Sequence, residues 1–173
     1  GLVCMRAEVS APFPRRVLIL DDHPIVRQGI KRMINVEPDM IIVGEAQDEA
    51  EARRLVRELL PDAVIVDLSL AQGDGFNVVR DVSAHFPEIR ILVLSMHDEA
   101  VYAERLLAEG ASGYIMKEAA TEQLVIALRT VLRGERYLSD NLKRMLVERT
   151  SRNAGQSTRL SIRELQVISL IGL

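Results

Sequence analysis

Five side chains in this 173-residue sequence have the types and the placement to handle a phosphoryl group: the adjacent Asp21 and Asp22, the isolated Asp67, Ser95 and Lys117. Three carboxylates brought together repel one another and are costly to desolvate, so their joint ionisation needs a cation. Oxygen-only ligation, without cysteine or a pair of histidines, favours Mg2+, which keeps waters and leaves positions for phosphate oxygens. A lysine adds a point charge for a second phosphoryl oxygen, and a serine hydroxyl a hydrogen bond to a third. Such a set recognises a phosphoryl group carried on an aspartate. Singly, Asp and Ser after a strand are common turn residues. Their joint appearance at four strand ends carries the reading. His23, beside the acidic pair and before Pro24, is given no role, and His85 is read as a surface residue at a helix end.

Those strand ends follow from the hydrophobic pattern. Short apolar runs without helical period occur at Arg16–Leu20, Met40–Gly44, Ala63–Asp67, Arg90–Ser95 and Gly113–Met116. Their composition is that of strands buried on both faces, the mark of a parallel sheet. Between and after them lie amphipathic stretches of helical length: Pro24–Val36, Glu49–Leu60, Gly75–His85, Ala100–Glu109 and Thr121–Arg133. Asp48-x-x-Glu51 forms a capping box, Pro61 and Pro87 follow helix ends, and Gly110 stands where a left-handed cap belongs. Five βα units predict an α/β, flavodoxin-like, doubly wound five-stranded parallel sheet of order 2-1-3-4-5, with ligands bound beyond the carboxyl ends of its strands.

Length and composition agree with one full core and a partial second unit, at about 150 residues per domain. Hydrophobic residues at 48% and charged residues at 27% are ordinary for a globular chain and exclude a disordered or collagen-like one. Aromatics at 3% with no Trp leave little for base stacking or sugar binding. The single cysteine, Cys4, permits no internal disulfide, and no apolar run reaches the ~18 residues of a membrane span. A reducing, cytoplasmic setting without membrane contact is expected. Charge is uneven: residues 1–128 are net −8, whereas residues 129–173 are net +5. Composition favours a solvated Arg-rich helix face there over a nucleic-acid surface.

Residues 16–133 resemble the receiver domain of bacterial two-component response regulators. The resemblance rests on Val17-Leu-Ile-Leu-Asp-Asp-His-Pro24, Asp67-Leu-Ser-Leu70 with Gly73-Asp-Gly75, Leu92-Val-Leu-Ser95 and Gly110-Ala-Ser-Gly-Tyr-Ile-Met-Lys117. It implies that Asp67 is the phosphoacceptor, and that Asp21, Asp22, Asp67 and the backbone carbonyl of Ser69 hold Mg2+. It also implies Ser95 as the switch hydroxyl, Tyr114 as a switch aromatic that moves inward on phosphorylation, and Lys117 as the phosphoryl-contacting lysine. A sensor histidine kinase is the implied donor, and the face of helix 4, strand 5 and helix 5 is the bistable element that controls homodimerisation. Ala71-Gln72 stands where the family often has a proline, and Glu118 replaces a proline after the lysine, as is usual in the NarL/FixJ branch.

The expected domain plan is a tail at 1–14, the receiver at 15–134, a linker with a short helix at 135–159, and a truncated helical output domain at 160–173. The short helical pattern runs from Ser139 to Glu148, and Thr150–Thr158 reads as a polar linker. Ser161-x-x-Glu164 is a second capping box, and its helix resembles the first helix of a LuxR-type helix-turn-helix. DNA binding is therefore expected only of a full-length parent with a complete output domain. The chain is not expected to be an enzyme beyond its own phosphoryl transfer and dephosphorylation. A stand-alone receiver acting through protein partners is the alternative. A Mg2+-dependent phosphatase of the haloacid dehalogenase type is less favoured, because its nucleophile follows strand 1 in an Asp-x-Asp arrangement. A flavodoxin needs a phosphate-cradling loop where Asp21-Asp22 would repel the phosphate.

Overall fold

A computed structural model describes residues 13–68, 75–96 and 99–156. Five parallel strands, β1 (Arg15–Leu20), β2 (Met40–Ala46), β3 (Ala63–Asp67), β4 (Arg90–Ser95) and β5 (Gly113–Met116), form one sheet of order β2-β1-β3-β4-β5. This is the flavodoxin-like order expected from the sequence. The helices are α1 (Pro24–Asn35), α2 (Glu49–Leu59), α3 (Gly75–His85), α4 (Glu99–Ala108), α5 (Ala120–Leu132) and α6 (Asp140–Gln156), with a 3-10 turn at Lys117–Ala119. None of the described helices is long and apolar enough to cross a membrane.

Alternation along the strands divides the core into two layers. Val17, Ile19, Ala63, Ile65, Leu92, Leu94 and Ile115 face one side, where Ile30 and Ile34 of α1 and Leu124 and Leu128 of α5 cover them. Leu18, Leu20, Val64, Val66, Ile91 and Val93 face the other, beneath α2, α3, α4 and α6. Each such Leu or Ile contributes about 1.5–3 kcal/mol by leaving water. β3 is buried throughout as read, and β1 and β4 are buried beyond their amino-terminal arginines, but β2 is an edge strand, and most of it is only half-buried, with Ile41 exposed.

Local signals set several boundaries. The Asp48 side chain accepts the Glu51 amide at 2.8 Å and the Glu51 carboxylate accepts the Gln47 amide at 3.1 Å, so the capping box closes one residue earlier than its ideal form. Gly110 ends the α4 region at φ 112°, with Ser83 so close that any side chain there would clash.

The chain beyond α5 departs from the expected linker. Tyr137 donates its amide to Ser112 O at 3.0 Å in a parallel bridge beside β5, and the Ser139 hydroxyl accepts the Leu142 amide at 3.1 Å to start α6. The helix then continues to Gln156, through most of the stretch read as a polar linker. Leu138, Leu142 and Leu146 are buried in the second layer, and Arg149 pairs with Glu104 of α4. Polarity misled here because a helix docked along one narrow stripe exposes all its other faces. The output helix expected at 160–173 lies outside the described residues.

Candidate functional site

The strand order reverses between β1 and β3, which opens a crevice beyond their carboxyl ends. Asp67 is the last residue of β3 and Asp21 directly follows β1. Hydrogen bonds from Asp21 N to Ala46 O (3.0 Å) and from Leu68 N to Leu94 O (3.1 Å) carry the ladder up to the site. Register places Asp67 opposite Leu94 and Ser95 opposite Met116, one residue before Lys117. Four residues distant in sequence, Asp21, Asp67, Ser95 and Lys117, therefore share one edge of the sheet.

Asp21 and Asp67 are each 1% exposed, so two carboxylates are held almost wholly away from water. Lys117 Nζ donates to Asp67 Oδ2 at 2.8 Å and lies 3.7 Å from Asp21 Oδ2. Asp21 Oδ1 accepts the His23 amide at 2.8 Å, an Asx turn that folds the next residues back over the aspartate. Arg27 donates to the Asp21 carbonyl at 2.6 Å and fixes the same turn from α1. Asp21 Oδ2 is buried without a hydrogen-bond partner. One lysine does not offset three carboxylates, and a buried carboxylate oxygen without a donor suits a cation.

Two residues that sequence reasoning passed over belong to this geometry. The turn brings His23 Nδ1 to 2.8 Å from Asp22 Oδ1, 3.1 Å from Asp21 Oδ1 and 3.9 Å from Asp67 Oδ2. Donor atoms of Asp21, Asp22, His23 and Asp67 all lie within 4.8 Å of one another. The signal was the Asp-x-His spacing, in which an Asx turn brings the third residue back to the first. Gly75, known from the sequence only as part of a motif, opens α3 against β3. A Cβ there would stand 2.7 Å from the Asp67 carbonyl oxygen and 3.0 Å from Leu68 Cα, so only glycine lets α3 approach the Asp67 backbone so closely.

Ser95 is fully buried at the end of β4, and Tyr114 is 1% exposed within the second apolar layer that also contains Leu142 and Leu146. The tyrosine ring is thus inside in this structure. Ser69 lies outside the described residues. His85 is exposed at the end of α3, as read.

Comparison with known proteins agrees with this geometry. Residues 17–129 match the family model of the response regulator receiver domain. The chain is 39% identical over 165 residues to the oxygen regulatory protein NreC of Staphylococcus aureus, covering 90% of this chain and 76% of NreC. Its fold matches a LuxR-family two-component response regulator from Aurantimonas sp. SI85-9A1, with a TM-score of 0.74 and 36% identity over 80% of this chain and 99% of that one. It also matches the RcsB response regulator of Salmonella typhimurium, with a TM-score of 0.71 and 28% identity over 90% of this chain and 76% of that one. The acidic crevice, its lysine and the order of the sheet therefore belong to a receiver-domain response regulator, and the chain is a member of the response regulator receiver family.

Proposed function

We propose that Asp67 accepts a phosphoryl group from a phosphohistidine of a partner sensor kinase. The observation that carries this is the contact of Lys117 Nζ with Asp67 Oδ2 at 2.8 Å, in the midst of three gathered carboxylates. An oxygen of Asp67 attacks phosphorus in line, the P–N bond breaks, and its electron pair leaves with the imidazole. An acyl phosphate on Asp67 and a neutral histidine on the kinase result.

Asp21, Asp22, Asp67 and the Ser69 carbonyl would hold Mg2+, and the buried Asp21 Oδ2 without a donor fits such an ion. When bound, the ion offsets negative charge on the phosphoryl oxygens. Lys117 shifts its contact from the Asp67 carboxylate to a phosphoryl oxygen, and the Ser95 hydroxyl donates to another. Catalysis is positioning and electrostatic stabilisation. The chain acts on its own phosphoryl group and on no external substrate.

The added charge draws Ser95 toward the new oxygens and biases the face formed by α4, β5 and α5, with Tyr114 packed behind it. That bias controls homodimerisation, and in a protein with a complete output domain it controls DNA binding on a two-fold site. A relative supports the last step: RcsB of Salmonella enterica has been solved bound to the promoter rprA in the presence of a phosphomimetic.

The test is to incubate the protein with a small phosphodonor and Mg2+ and to compare intact masses with Asp67→Asn. Wild type gains one phosphoryl mass and the variant none. Equal phosphorylation of both would overturn the assignment.

A further inference from the structure

We infer that His23 is a nitrogen ligand of the same cation site, so that the cluster accepts a first-row transition ion with a preference over Mg2+ that the carboxylates alone would not give. The inference rests on the reading of the crevice as a cation site and goes beyond it in assigning a fourth protein donor and a selectivity.

Three observations converge on the ring. Its Nδ1 approaches a carboxylate oxygen of each of the three aspartates, at 2.8, 3.1 and 3.9 Å, and so points into the centre of the cluster. The four donor atoms span no more than 4.8 Å. Opposite donors of a small divalent ion stand about 4.2 Å apart at metal–ligand distances of about 2.1 Å, so the set closes by contracting roughly half an ångström. Within the cluster the buried Asp21 Oδ2 has no hydrogen-bond partner and only Lys117 Nζ at 3.7 Å, which leaves it open to a cation.

The ring has freedom to make that adjustment. The His23 side chain is 56% exposed and makes no capping bond to α1, so neither packing nor a helix cap ties it elsewhere. Its backbone is tied, since the amide bonds to Asp21 Oδ1 and the carbonyl accepts the Arg27 amide at 3.1 Å. A fixed backbone with a ring held only by the carboxylates of the cluster itself, through Asp21 Oδ1 at 3.1 Å and Asp22 Oδ1 at 2.8 Å, is what a metal-ligating histidine needs.

The donor type then sets the preference. Mg2+ is bound through oxygen and retains water, and gains little from an imidazole. Co2+, Ni2+ and Zn2+ accept imidazole nitrogen readily. With three carboxylates as a shared base, the nitrogen separates the two classes of ion.

Co2+ and Mg2+ are suitable probes. Calorimetry at one fixed pH on the whole chain compares wild type with His23→Ala, and proton NMR of the Co2+ form looks for a hyperfine-shifted imidazole N–H. The expected result is loss of about tenfold or more in Co2+ affinity in His23→Ala, with Mg2+ affinity changed less than about twofold. One shifted N–H resonance of the wild type should disappear. Retained Mg2+ binding shows that the variant is folded and its carboxylates are in place. Equal effects on both ions, or no effect on either, with the N–H spectrum unchanged, would overturn the His23 assignment while leaving the carboxylate site standing. Failure of wild type to bind either ion, with Asp22→Ala behaving identically, would overturn the cation reading and this inference together.

Discussion

Each end of the sheet gathers acidic side chains around one basic one, and the two clusters are built on opposite terms. At the amino end, Arg129 of α5 bonds Asp39 through Nε at 2.9 Å and Nη2 at 3.0 Å, and reaches Glu37 at 2.7 Å. These groups are in water: Arg129 is 39% exposed and Asp39 50%. The bidentate bond holds the Asp39 carboxyl below its ordinary value, and the two acids raise the guanidinium above its own. At the carboxyl end, Asp21 and Asp67 are almost wholly buried around Lys117, a third carboxylate stands beside them, and one buried oxygen has no donor. The amino-end cluster satisfies its charges and ties α5 to the turn before β2. The carboxyl-end cluster carries more negative charge than the protein offsets. Such excess lowers stability and is kept where a ligand completes the site.

The contrast can be broken first at Lys117. Lys117→Ala should slow phosphorylation by a small phosphodonor by about 10²–10³-fold, the usual effect of removing one group aimed at the transferring oxygens. A time course of intact mass at fixed Mg2+ measures it. A rate within about threefold of wild type would make the lysine a structural partner only.

A smaller effect tests the excess charge. Asp22→Asn removes one negative charge, so without divalent ions the variant should unfold higher than wild type by about 3 °C, equivalent to roughly 1 kcal/mol. With saturating Mg2+ the order should reverse, because binding stabilises only the form that retains the full site. Calorimetric scans with chelator and with Mg2+ would show this crossing. Parallel shifts in both conditions would mean that the acidic pair is an ordinary turn.

The smallest effect belongs to the amino end. Arg129→Ala should cost less than about 1 kcal/mol, as exposed ion pairs do. Its pH dependence has a definite sign. Asp39 has a depressed folded value, so its contribution is present above its ordinary value near 3.8 and is lost as pH falls through the folded one. Urea unfolding should therefore separate wild type from Arg129→Ala at pH 6 and bring the two together in acid. A gap that widens on acidification would contradict the assignment.

Most of the fold is legible in the sequence because parallel strands announce themselves as apolar runs; β3, β4 and β5 begin and end where those runs do. β2 is less so. The run from Met40 cannot show that its outer neighbour is water, and Ile41 is exposed as a result. α6 was half legible. Its buried Leu142 and Leu146, with Leu138 just before the helix, are in the pattern, but Thr150–Gln156 is as polar as any loop, and only continuation of the backbone shows it to be helix. At the site, Asp21, Asp67 and Lys117 could be found from strand ends alone. His23 was harder to find, since its approach to the carboxylates rests on an Asx turn that the Asp-x-His spacing permits but does not by itself require. Gly75 depends on a 2.7 Å approach of α3 to the Asp67 backbone, a tertiary fact that no local pattern contains.

The proposed function places the phosphoryl group on the carboxylate of Asp67. An acyl phosphate is reduced by borohydride to an alcohol, which converts the modified aspartate to homoserine. Phosphorylation by a small phosphodonor, borohydride reduction and peptide mapping should place homoserine at position 67 and leave Asp21 and Asp22 unaltered. Homoserine at 21 or 22, or none at 67 in a protein that had gained the phosphoryl mass, would contradict the account.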